Sequence, residues 1–212
     1  MKALDEKTQS LESIVPEYES GSRLVKWLFH KRLAWATKQV QKHTAKKDIA
    51  ILDAGCGNGI WIKKLAEQGY TNLHGIDFNE HVVEIGIPGA QFKCGDLAQT
   101  GYKDQQFDVI AILDVIEHIP DPTNVIIELK RILKPNGILL ASLPTEHAIY
   151  KLGRFILKGT FSSEDGPATG VHYHNAKGLH KMLKTQFKPK SIKYLPLLPP
   201  CNLFNLRSYT ID

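Results

Sequence analysis

Apolar residues fall into two alternating rhythms along this chain. Between Ser22 and His43, Val25, Phe29, Leu33, Ala36 and Val40 recur three or four positions apart. That spacing lines up one face of a helix, and Ser22 suits its N-cap. Asp48 to Gly55 is instead a continuous apolar run ending in glycine, as expected of a strand covered on both faces. A helix is predicted from Gly59 to Gln68, closed by Gly69. Leu73–Asp77, Ala90–Gly95 and Phe107–Leu113 read as further strands, with a short helix starting at Asn79. Asp121 to Leu133 reads as a helix, with Pro122 in its first turn and Val125, Ile126, Leu129 and Leu133 on one face. Lys134–Gly137 has the composition of a turn, and Ile138–Leu143 that of a fifth strand.

Strands and helices alternating at this spacing imply a parallel sheet with helices on both faces, an α/β architecture. The rhythm stops after Pro144. Residues 145 to 173 have no strand period and contain the polar run FSSEDGPATG, which suits a mobile cap over a binding site. It resumes in an amphipathic helix from Asn175 to Phe187, with Ala176, Leu179, Leu183 and Phe187 as its stripe. Ser191–Leu197 and Leu206–Ile211 are the last candidate strands. The expected organisation is one domain over 1–212: an N-terminal helical segment (1–45), a ligand-binding core (46–144), the cap (145–174), and a C-terminal helix with strands (175–212).

Composition narrows the class. At 212 residues, 42% hydrophobic and 23% charged, the chain is an ordinary globular protein with room for a full core. Its net charge of +5 permits an anionic partner without requiring one. No apolar run is long enough to span a bilayer, and the first residues lack the apolar centre of a signal peptide. Three cysteines, Cys56, Cys94 and Cys201, form no C-x-x-C pair, so the expected setting is a reducing cytoplasm.

Candidate chemistry concentrates in Leu52-Asp-Ala-Gly-Cys-Gly-Asn-Gly59, where a strand runs into Gly55, Gly57 and Gly59 before a helix. Glycines let such a turn reverse tightly and let a ligand approach the backbone. They are spaced two and two, not two and three as in the fingerprint that seats a dinucleotide pyrophosphate. Asp53, just before the turn, would repel a phosphate but attract an ammonium or sulfonium. Asp77 closes the next strand, where a carboxylate can accept both hydroxyls of a ribose. A ligand with a ribose, a cationic centre and no phosphate fits this set, and S-adenosylmethionine is such a ligand.

Taken together, ILDAGCGNG, GIDFNE, CGDL, FDVIAILDVIEHIPDP and LKRILKPNGILLASLP resemble the class I S-adenosylmethionine-dependent methyltransferases. The likeness is strongest to the type 11 group with an E-H-(I/V)-P-D-P signature, which includes ubiquinone-biosynthesis O-methyltransferases. It implies a Rossmann-like, doubly wound, seven-stranded sheet of order 3-2-1-4-5-7-6 with the last strand antiparallel. It also implies that Gly55, Cys56, Gly57 and Gly59 lie along the methionine part of the cofactor, with Asp53 near its amino group. Asp77 would hold the ribose, Phe78, Asp96 and Leu97 the adenine, and Leu113 would underlie the methionine chain. S-adenosylhomocysteine would be the product.

For the chemical step, the candidates are Asp114, Glu117 and His118 after the fourth strand. On a helical turn these positions share a face. His118, with Glu117, is expected to face the pocket as a base without metal. A divalent ion on Asp114, Glu117 and His118 is a second reading, and local capping a third. His172 and His174 are candidate acceptor contacts. The expected acceptor is a small molecule methylated on oxygen. RNA or protein as acceptor, and cofactor binding without catalysis, stay open, with nucleic acid not favoured. The other histidines, His74 and His180 included, read as surface residues. So do the cations of the first helix, Arg32 among them, and Lys177, Lys181, Lys184 and Lys188, with docking to nucleic acid, an acidic carrier or anionic lipid as the second reading of both stripes. Tyr18, Trp27 and Trp35 are expected to pack the N-terminal segment over the cofactor cleft.

Overall fold

The computed structural model describes residues 23–144, 173–195 and 204–211. The Ser22 cap, Tyr18, His172, Cys201 and nearly all of the expected cap segment lie outside these residues. In chain order the elements are α1 (Arg23–His43), β1 (Ala50–Ala54), α2 (Ile60–Glu67), β2 (Asn72–Asp77), β3 (Ala90–Cys94), β4 (Phe107–Leu113), α3 (Thr123–Ile132), β5 (Leu133–Pro144), α4 (Ala176–Leu183), β6 (Lys188–Leu195) and β7 (Phe204–Thr210). Short 3-10 turns occupy Glu80–Glu84 and Ile116–His118.

All seven strands join one sheet in the order β3-β2-β1-β4-β5-β7-β6. Strands β1 to β5 pair in parallel, and β7 runs antiparallel to both β5 and β6. The order implied by the sequence motifs is therefore the observed one. The central strands are mostly apolar because they are covered on both faces, with Asp53 on β1 and Asp108 on β4 among the exceptions. From β4, Ile110 and Ile112 pack towards α3 and α4, and Val109, Ala111 and Leu113 towards α1 and α2. Full burial of such a side chain is worth about 1.5–3 kcal/mol, so these two layers dominate the stability. The α4 stripe Ala176, Leu179, Leu183 and Phe187 is buried as its spacing predicts, and Asn175 caps the helix by accepting from the Gly178 N–H at 2.9 Å.

Several positions differ from the sequence reading. The Lys134–Gly137 turn does not precede β5 but interrupts its pairing. Leu133 pairs with Phe107 and Ile138 with Val109, so the residues between Leu133 and Ile138 bulge out. His74 is buried, not exposed: its ring bonds Asn72 at 2.9 Å and packs edge-on against Tyr102 and Phe107. His180 lies between Tyr209 and Arg207. Trp35 is in the core shared with Trp61 and Ile51, not over a cleft, and Trp27 is exposed. A strongly polar side chain can lie inward when the fold supplies a partner, which periodicity does not register.

Candidate active site

The turn between β1 and α2 is held by its own backbone. The Gly55 and Cys56 N–H groups donate to the Ile76 carbonyl at 2.8 and 3.1 Å, and the Gly59 N–H donates to Cys56 O at 2.9 Å. Gly55, Gly57 and Gly59 all have positive φ, between 51° and 79°. At Gly55 a side chain is also barred by space, since a Cβ there would lie 2.3 Å from a Val115 methyl. The turn is thus pressed against the segment leaving β4.

Two buried carboxyl groups flank it. Asp77 accepts from the Gly57 N–H at 2.9 Å through Oδ2 and from the Asn79 N–H at 3.1 Å through Oδ1. Each oxygen keeps a further lone pair for a ligand. Asp53, on β1, is pushed up to about 8, first by burial and then by the neighbouring Asp77 charge, with the Arg32 guanidinium opposing. Burial, reinforced by Asp53 and Asp77, pushes the Cys56 thiol well above its ordinary range, which suits a filler and not a nucleophile. Further along the same edge Phe78 is 88% exposed. Asp96 turns back to accept from the Ala98 N–H at 2.8 Å, and Leu97 beside it is buried.

Arg32 is the residue that the sequence reading missed. Its side chain is only 3% exposed, lies over the Phe29 ring at 4.4 Å, and pairs with the Asp114 carboxylate. A signal for it exists: position 32 falls on the apolar stripe of α1, three residues after Phe29 and four before Ala36. A cation on that face needs a buried anion. Asp114 also accepts from the Ser142 hydroxyl at 2.6 Å. Its φ is +56°, a left-handed conformation uncommon for a residue with a side chain. Asp114 is therefore not on a helical turn with Glu117 and His118, and its two oxygens face Ser142 and Arg32.

Glu117 and His118 occupy the 3-10 turn beyond it, with Glu117 buried and His118 half-buried. The chain returns to them after the segment that follows β5. The Tyr173 N–H donates to Glu117 O at 2.9 Å, and the His174 ring bonds Pro120 O at 2.9 Å. Among the described residues, no three or more His, Cys, Asp or Glu are grouped so as to hold a metal ion. The structure thus gathers Asp53, Asp77, Arg32, Asp114, Glu117, His118, Tyr173 and His174 around the carboxyl ends of β1, β2 and β4. A doubly wound sheet binds its ligands at that end.

A family model described as a methyltransferase domain matches residues 26–186. This chain belongs to the S-adenosylmethionine-dependent methyltransferases. Among curated members of the family, the ubiquinone biosynthesis O-methyltransferase of Pasteurella multocida is 33% identical over 129 residues, 52% of this chain and 51% of that protein. The chain spans about half the length of the first curated relatives it matches. A methyltransferase structure from Methanosarcina mazei superposes with a TM-score of 0.63 at 23% identity, covering 82% of this chain and 97% of that one. A Burkholderia thailandensis 1,6-didemethyltoxoflavin N1-methyltransferase, with its substrate and S-adenosylhomocysteine bound, gives 0.63 at 17%, covering 100% and 89%. The two solved structures share the fold of this chain. Among the described residues, no helix is long and apolar enough to cross a membrane.

Proposed function

We propose that this methyltransferase transfers a methyl group from S-adenosylmethionine to an oxygen of a small-molecule acceptor. The observation that carries the reading is the buried Glu117 and half-buried His118 at the end of β4, joined by Tyr173 and His174 beside the glycine turn. The naming of the Pasteurella relative as an O-methyltransferase supports oxygen as the receiving atom.

The residues present fit the cofactor. Asp77 holds the ribose hydroxyls on the lone pairs left after its two backbone bonds. Phe78, exposed as it stands, covers the adenine, with Asp96 and Leu97 at the purine edge. Gly55, Cys56, Gly57 and Gly59 line the methionine chain above Leu113. Asp53 faces the ammonium, and Arg32 supplies the one buried guanidinium among the described residues for the carboxylate end. When bound, S-adenosylmethionine supplies an electrophilic methyl group on a sulfonium. The protein's task is then to align an acceptor oxygen, exclude water and take one proton. His118 would take the acceptor proton, and Glu117 fixes the turn that presents it. His174 contacts the acceptor.

Incubating the protein with labelled S-adenosylmethionine and a panel of phenols and catechols tests this. Label should pass to an acceptor oxygen, with S-adenosylhomocysteine formed in equal amount. Tight cofactor binding with no transfer to any acceptor would leave a binding protein and defeat the proposal.

A further inference from the structure

Charge is distributed unevenly along this chain. Residues 23–47 contain eight lysines and arginines and no carboxylate, and residues 173–211 contain seven and none. Residues 48–144 between them contain thirteen carboxylates against seven lysines and arginines. The fold joins the two basic stretches. Helix α1 lies against β5 and β7, and His43 at the end of α1 feels both the Lys190 charge on β6 and that of Asp108, which Lys134 pairs. Since β6 is the edge of the sheet and β1 to β4 fill the other half, one flank is cationic and the other anionic.

The cations lie on both sides of the β6 rim. Lys193 pairs with Leu206, whose side chain packs on the α1 side, and Ser191 bonds Ser208 on that same side. On the α4 side Arg207 donates to the His180 ring at 3.3 Å, with Lys184 close enough to depress that imidazole. The first six residues of β6 are exposed. Among the described residues, no carboxylate pairs with Lys177, Lys181, Lys184, Lys190 or Lys193.

Three features select the occupant. A surface of one sign suits a uniform polyanion better than a protein surface, which mixes signs. A rim charged on two faces suits a flexible strand that can bend around it better than a flat bilayer, and Ile192 is the one exposed large apolar side chain on β6. A second copy of the chain is disfavoured, because lysines, Pro189 and the register shift beside it protect this edge from pairing with itself. We propose that the β6 rim, with α4 and the end of α1, docks the phosphate backbone of a single-stranded nucleic acid. Lysines supply point charges without base-reading forks, so the binding is independent of sequence. It leaves the acceptor site free and does not rest on which acceptor is methylated.

Fluorescence anisotropy with a labelled 20-nucleotide oligouridylate tests it. Engagement of about five cations predicts roughly 10²-fold weaker binding at 200 mM than at 50 mM salt. The triple variant Lys184→Glu, Lys190→Glu, Lys193→Glu should lose binding at 50 mM salt while binding S-adenosylhomocysteine as the parent does. The triple variant Lys63→Glu, Lys64→Glu, Lys103→Glu changes net charge equally on the anionic half and should bind the oligonucleotide much more tightly than the rim variant. No binding at 50 mM salt, or equal losses in both variants, overturns the proposal. So does equal or tighter binding to polyglutamate or to vesicles containing phosphatidylglycerol.

Discussion

Asp53 carries a proton at a pH where an aspartate in water has lost it. Because its folded pKa is about 8 against about 4 when unfolded, its share of stability is full below pH 4 and falls as pH rises towards 8. A ligand ammonium beside it reverses the preference, so cofactor binding should release a proton. Affinity for S-adenosylhomocysteine should climb between pH 6 and 8, and Asp53→Asn should flatten that rise, as calorimetry in buffers of different ionisation enthalpy would report. On the proposed placement of the cofactor, Asp77→Ala would remove two charge-assisted hydrogen bonds to the ribose, at about 1.5–3 kcal/mol each. The expected loss of affinity is 10²-fold or more, and a change within twofold would remove Asp77 from the ribose site. His118→Ala should lower turnover roughly 10²–10⁴-fold with cofactor affinity unchanged. The placement of Asp53 and Asp77 beside the glycine turn was legible in the sequence, because each lies at the end of a strand that flanks it. The burial of Arg32 left its signal on the stripe of α1, but its pairing with Asp114 did not, because the two lie 82 positions apart and only the fold brings them together.

At the scale of elements, Glu128 and Arg131 fasten α3 to the loop before β4, Arg131 donating to Tyr102 O at 2.8 Å and pairing with Asp104. Glu128 accepts from the Thr100 N–H and hydroxyl at 3.0 and 2.6 Å and from Arg131 at 2.7 Å. Arg131, foremost, holds its carboxyl down to about 2. That contribution is full above the ordinary glutamate pKa near 4.5 and is lost as pH falls towards 2. Glu128→Gln should cost about 2 kcal/mol at pH 7 and weaken the acid-induced loss of stability, measured by urea titration at several pH values. The elements themselves were readable wherever one face or both are apolar, as in α4 and β4. The bulge in β5 was not, because Lys-Pro-Asn-Gly has the same composition whether it ends a helix or interrupts a strand pair.

For the whole molecule, alternation of strands and helices announces a parallel sheet but says nothing of which strands are neighbours. The order came from the resemblance, which encodes it through motifs and not through periodicity. A ligand that binds only the folded form stabilises it by mass action, about 2.7 kcal/mol at a hundredfold excess over Kd. S-adenosylhomocysteine at that excess should raise Tm by roughly 5–10 °C, since 1 kcal/mol is worth about 2–4 °C at this size. NAD at the same concentration should leave Tm unchanged, and an equal rise would remove the distinction drawn from the two-and-two glycine spacing.

Strand β7 is the last of the described elements yet sits between β5 and β6. Its seven residues bond to Ile138–Pro144 on one side and to β6 on the other. Until Phe204–Thr210 enter the slot, β6 has no neighbour to dock on and the apolar edge of β5 stays open. Closing the sheet is thus a late event that joins residues about 70 positions apart, a long-range contact of the kind that slows folding. Ribosome-bound chains that have not yet exposed β7 should therefore hold an incomplete core and be cleaved readily by protease. Emergence of β7 from the ribosome should convert them to the resistant form in one step.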